Sequence, residues 1–99
     1  MNMQNIMAQA QKMKKEIEKK QTEIDNKVFL EETEFFLIKM NGKREILELK
    51  INSNLIKDSE DVEALEEMIK IGLKNILNQI EAEIESKMGM YGSNFNGLF

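Results

Sequence analysis

The chain has no histidine, no cysteine, no proline and no tryptophan. Without histidine there is no imidazole to serve as a general base. Without cysteine there is no thiolate nucleophile, no disulfide and no zinc site of the ordinary type. The glycine-rich phosphate loops are missing too, with neither GxGxxG nor a Walker A sequence present. Catalysis by a pair of carboxylates needs a walled cleft, which a chain of 99 residues without tryptophan can hardly build. These absences predict a protein that is not an enzyme and that takes no cofactor, no metal and no small-molecule substrate.

Long hydrophobic runs are lacking as well. No stretch approaches the ~18 apolar residues of a membrane span, and Met1–Gln11 has no charged start followed by a continuous apolar run, as an export signal would. A soluble, cytoplasmic protein that makes no membrane contact is the expectation. The length allows one domain, assigned to residues 1–87, with residues 88–99 read as a flexible tail because Met88 to Phe99 has no period and is rich in glycine and asparagine. A chain this short buries only about 60% of its unfolded surface, which leaves room for a partner subunit to complete the core.

What is present is helical at both ends. Met3, Ile6, Ala10, Met13, Ile17, Lys20 and Ile24 follow a heptad spacing that only Lys20 breaks, and the residues between them are good helix formers. This predicts a helix from about Met3 to Asn26, about 36 Å long and with coiled-coil character. The period then changes. Val28–Leu30, Phe35–Met40 and Ile46–Ile51 read as three short strands, with a turn at Asn41-Gly42. A four-residue loop, Asn41 to Arg44, would set Met40 opposite Glu45, Ile38 opposite Leu47 and Phe36 opposite Leu49, leaving one sheet face apolar. Asp58 or Ser59 caps a second helix, whose stripe runs through Val62, Leu65, Ile69, Gly72, Leu73, Ile76, Ile80 and Ile84 to about Lys87. The acids around its start lack the calcium-loop pattern and suit the helix N-terminus. Met13 and Met68, on or beside the stripes, are read as core. The fold class is α+β: a long N-terminal helix, a short antiparallel sheet of about three strands and a long C-terminal helix.

Charge is unevenly distributed. The net charge is −4, yet residues 1–27 carry six Lys against four acids. On a helical wheel the sector opposite the apolar stripe holds Gln4, Ala8, Gln11, Lys12, Lys15, Lys19, Thr22 and Asn26, with no Asp or Glu among them; Lys14 lies at its border. A solvated face normally mixes both signs. An acid-free strip with flanking amides suits a row of phosphates. Overall acidity does not forbid this, because the Debye length is about 8 Å at physiological salt. The strip contains no Arg, so base readout should be poor.

Several segments together resemble the YbaB/EbfC family of nucleoid-associated DNA-binding proteins. They are Met7-Ala8-Gln9-Ala10-Gln11-Lys12-Met13, Ile38-Lys39-Met40-Asn41-Gly42, Ile51-Asn52-Ser53-Asn54-Leu55-Ile56, Leu65-Glu66-Glu67-Met68-Ile69 and the Leu98-Phe99 ending. The resemblance implies an intertwined, tweezers-like α–β–α homodimer that binds duplex DNA with protruding helices, lies with the nucleoid in the cytoplasm and affects gene expression. The expected DNA contacts are Gln11, Lys12, Lys14, Lys15 and Lys19. The expected dimer contacts are Ile6, Met13, Ile17, Ile24, Phe36, Ile38, Leu47 and Leu49. An alternative from another class is a protein-interaction or holding-chaperone module, since helix–hairpin–helix order with heptads also resembles prefoldin.

Overall fold

The computed structural model describes residues 2–91. Helix α1 spans Met3–Asn26 and begins at Asn2, whose side chain accepts a hydrogen bond from the Asn5 amide at 2.9 Å. Strands β1 (Val28–Glu32), β2 (Phe36–Asn41) and β3 (Ile46–Ile51) form an antiparallel sheet in the order β1-β2-β3. A 3-10 turn at Ser53–Leu55 leads to α2 (Ser59–Met88), which a second turn, Gly89–Tyr91, closes. Asp58 is the N-cap of α2, accepting from the Asp61 amide at 3.0 Å.

Several details differ from the sequence expectation: β1 runs on to Glu32, and β2 covers Phe36–Asn41. Met88 belongs to α2 and is buried, and the turn continues to Tyr91, so the assigned tail starts too early; residues 92–99 lie outside the described residues. The hairpin register also differs. Phe36 faces Ile51, Ile38 faces Leu49 and Met40 faces Ile46, with a bulge that leaves Leu47 as the extra residue. The turn shifts the Met40 pair by one residue, and the bulge adds the second for the pairs beyond it. The Asn41 side chain accepts from the amides of Lys43 and Glu45, each at 3.0 Å, and Arg44 takes a left-handed conformation with φ 67°. The two-residue slip keeps Phe36, Ile38, Leu49 and Ile51 on one face.

The core lies between one face of the sheet and the helices. Phe29, Phe36, Ile38 and Met40 pack with Leu65, Ile76, Ile80 and Ile84 of α2 and with Ile24 at the end of α1. Gly72 permits the closest approach of α2, since a Cβ there would meet the Phe36 ring at 2.9 Å. Gly42 does the same at the turn, where a Cβ would overlap the Ile24 carbonyl. The two helices pair antiparallel beyond the sheet. Lys27 reaches Glu83 at 2.9 Å, Lys87 reaches Glu23 at 3.8 Å and Glu83 at 3.3 Å, and Lys20 Nζ lies 3.2 Å from Met90 Sδ. The body measures 71 × 19 × 15 Å with a radius of gyration of 19.3 Å, against about 13 Å for a compact chain of this length. It is a rod, with the sheet under one part of α2 and the N-terminal arm of α1 projecting past Tyr91.

Candidate nucleic-acid interface

The strip on α1 rests on how the helix is held. Ile24 is fully buried, and Ile17, Lys20 and Gln21 are half-buried on the side that meets α2. That fixes the rotation of the helix about its axis, and the opposite side must face solvent. Gln11, Lys12, Lys14, Lys15 and Lys19 are all exposed. Lys14 approaches Glu18 at 4.0 Å, one turn along the helix. Among the described residues, no carboxylate lies within 4.0 Å of Lys12, Lys15 or Lys19. From Lys12 to Lys19 is about 10 Å of helix rise, a reach of about three phosphate steps along one strand of a duplex. The ammonium groups therefore form a row on a rigid element, with Glu16 and Glu23 one helical turn away but outside ion-pair distance. The outer face of α2 is the reverse, with Glu60, Glu63, Glu67, Glu81 and Glu85 all exposed.

The expected dimer residues fall into two groups. Ile24, Phe36 and Ile38 are packed inside the single chain, because α2 already covers that part of the sheet face; they offer no free surface to a partner. Ile17 is half-buried against the same core. By contrast, Ile6, Met13, Leu47 and Leu49 are exposed. Met13 is therefore not a core residue in this chain, whereas Met68 packs against the core as expected.

Sequence reasoning missed three things here. The expected dimer contacts omitted Ile46 and Ile51, which extend the exposed row on β3, and Met3 and Met7, which extend the exposed stripe on the arm. Lys20 has partners within its own chain. Its ammonium sits beside Met90 Sδ and 5.0 Å from the centre of the Tyr91 ring, at the C-terminal end of α2, where the helix dipole favours a cation. The heptad spacing was visible; the identity of the facing helix was not.

The sequence profile of the YbaB/EbfC DNA-binding family matches residues 1–95. The chain belongs to that family. A nucleoid-associated protein of Clostridium kluyveri is 36% identical over 102 residues, covering 99% of this chain and 89% of that protein. One of Lactococcus lactis subsp. cremoris is 37% identical over 93 residues, covering 92% and 93%. One of Mycoplasmopsis pulmonis is 35% identical over 91 residues, covering 89% and 90%. Against this family background, none of the described helices is long and apolar enough to cross a membrane. No group of acidic side chains among the described residues is placed to hold a metal ion.

Proposed function

We propose that this protein is a non-enzymatic, nucleoid-associated protein that coats duplex DNA in the bacterial cytoplasm as a homodimer with low sequence specificity. The carboxylate-free row Lys12, Lys15 and Lys19 on the solvent side of α1 carries this reading. Lysine ammonium groups act as point charges toward phosphate and provide no planar fork for base edges. Gln11 and Lys14 border the row and add donors to it.

The dimer is supported by the open side of the sheet. Ile46, Leu47, Leu49 and Ile51 on β3 are 45–54% exposed in the single chain. An apolar edge strand invites association. At the opposite edge α2 packs on β1, and the Gln79 amide reaches over to the Leu30 carbonyl at 3.5 Å. A second copy on β3 completes the core that one chain leaves open. Family membership favours DNA over the unfolded-protein clients of a prefoldin-like module.

A gel shift on random-sequence duplex DNA, repeated over a salt series, tests the reading. Six strip lysines per dimer, each neutralising one phosphate at about 0.9 per contact, give a log–log salt slope of about −5. Binding that ignores salt, or that is confined to one sequence, would contradict it.

A further inference from the structure

The apolar stripe of α1 has two different surroundings along its length. From Ile24 to Ile17 it packs against α2 and the core. Past Tyr91, the same stripe continues through Met13, Ala10, Met7, Ile6 and Met3 with no helix opposite it among the described residues. Met3, Ile6, Met7 and Met13 are 48–70% exposed there. From Ile17 to Met3 is about 21 Å of helix. This bare length points away from the sheet, which α1 meets at Ile24 and Gly42. The arm and the β3 row are thus separate apolar surfaces on one rod.

We propose that the arm, residues 3–17, is a second self-association surface, through which the arms of two dimers pair antiparallel about Ala10 and link dimers into chains along DNA. This rests on the dimeric DNA-binding reading above. The occupant follows from the stripe itself. Helix α2 runs antiparallel to α1 and stops at Met88. A second arm laid antiparallel on α1 continues in the direction of α2 and brings its N-terminal, positive end toward the C-terminal, negative end of α2. Centred on Ala10, this register sets Met3 opposite Ile17 and Met7 opposite Met13, so apolar residues meet at every level of the stripe except that of Ile6. The small Ala10 side chain meets its own copy and allows close approach. Lys14 falls opposite Ile6 and Glu16 opposite Gln4, so no like charges collide. Lys12, Lys15 and Lys19 stay on the far side of the helix and keep their access to phosphate. Three to four turns of paired helix are weak alone. Dimers held side by side on one DNA raise the local concentration and supply the missing affinity.

Two β3-joined copies with a self-pairing arm at each end form an open chain and not a closed ring. Binding to long DNA should then be cooperative, with complexes filling all-or-none, while duplexes too short for two dimers bind without cooperativity.

The chain has no cysteine, so Ala10→Cys places a lone thiol at the proposed crossing point. Under mild oxidation this variant should form covalent pairs of chains. Its light-scattering mass should rise from twice the 11.5 kDa chain to four times that chain or more. Ala8→Cys, on the opposite face, should not crosslink above background. Crosslinking of Ala10→Cys no better than that of Ala8→Cys overturns the proposal. So does complete crosslinking with the mass still that of two chains, because the arms would then belong to the first dimer contact. A reduced wild-type protein that runs as a monomer defeats the dimeric reading before any oxidant is added. If oxidised Ala10→Cys then stops at two chains, the linked chain of dimers fails with it.

Discussion

At the scale of single residues, Lys20 occupies a heptad position, yet its ammonium is satisfied within its own chain by Met90 and the Tyr91 ring. Lys20→Leu should therefore leave the dimer dissociation constant unchanged. It should cost under about 1 kcal/mol of stability, the range of a partly exposed cation–π contact, as read by denaturant melting. Gly42 is a harder constraint. Any Cβ there meets backbone at Ile24, which cannot rotate away as a side chain would. Gly42→Ala should cost about 3 kcal/mol, the upper range for overpacking, and lower the melting temperature accordingly. Glu83 gives the pH dependence. The hydrogen bond from Lys27 is the main influence holding its carboxyl below the usual range; Lys87 adds to it and burial opposes it. A carboxylate with a depressed folded pKa stabilises the protein above its unfolded value, near 4.5, and loses that contribution as pH falls through the folded value. Urea midpoints taken at about pH 6 and about pH 3 should differ less in Glu83→Gln than in wild type.

Among the elements, α1 carries the proposed binding strip, and its two faces can be tested separately. Replacing Lys12, Lys15 and Lys19 together with Glu reverses the charge of the strip without touching a packed surface. Gel shifts should show loss of DNA binding, while circular-dichroism melts and light scattering should show nearly unchanged stability and mass. The control, Glu63→Gln with Glu67→Gln on α2, should leave affinity much the same. A lysine variant that still shifts DNA like wild type would reduce the strip to a solvated face. The strip was legible in the sequence because an acid-free sector is a property of helical period alone. The three strands and the second helix were legible for the same reason. What periodicity does not carry is the partner of each apolar face. Ile38 and Leu49 lie opposite each other on one sheet face, yet α2 covers the first and leaves the second open. The register was missed because it depends on the Asn41 side chain bonding two amides, on the left-handed backbone at Arg44 and on the bulge at Leu47, which together shift Phe36 and Ile38 by two residues and so keep them facing apolar partners.

The whole molecule is a 71 Å rod whose sheet ends in an uncovered apolar strand, and the proposed assembly follows from that. A chain that packs its core against only part of its sheet has an incentive to associate, because each Å² of apolar surface removed from water contributes about 25 cal/mol. Leu49 is the informative position on β3. It faces the same side as the buried Ile38, so a partner reaching that side must cover it. It is also exposed in the single chain, so replacing it opens no cavity inside a protomer. Leu49→Glu puts one carboxylate per protomer, and two per dimer, into the proposed contact. At about 2 kcal/mol for each disrupted central residue, dimer dissociation should become about 1000-fold easier. The variant should then elute with the mass of one 11.5 kDa chain at concentrations where wild type has twice that mass. Wild type should also melt at higher temperature as its concentration rises, as a folded state stabilised by association must. DNA binding by Leu49→Glu should weaken and its salt slope should fall to about half, since three lysines, not six, then act together. A Leu49→Glu protein that keeps the wild-type mass and salt slope would place the dimer contact away from β3.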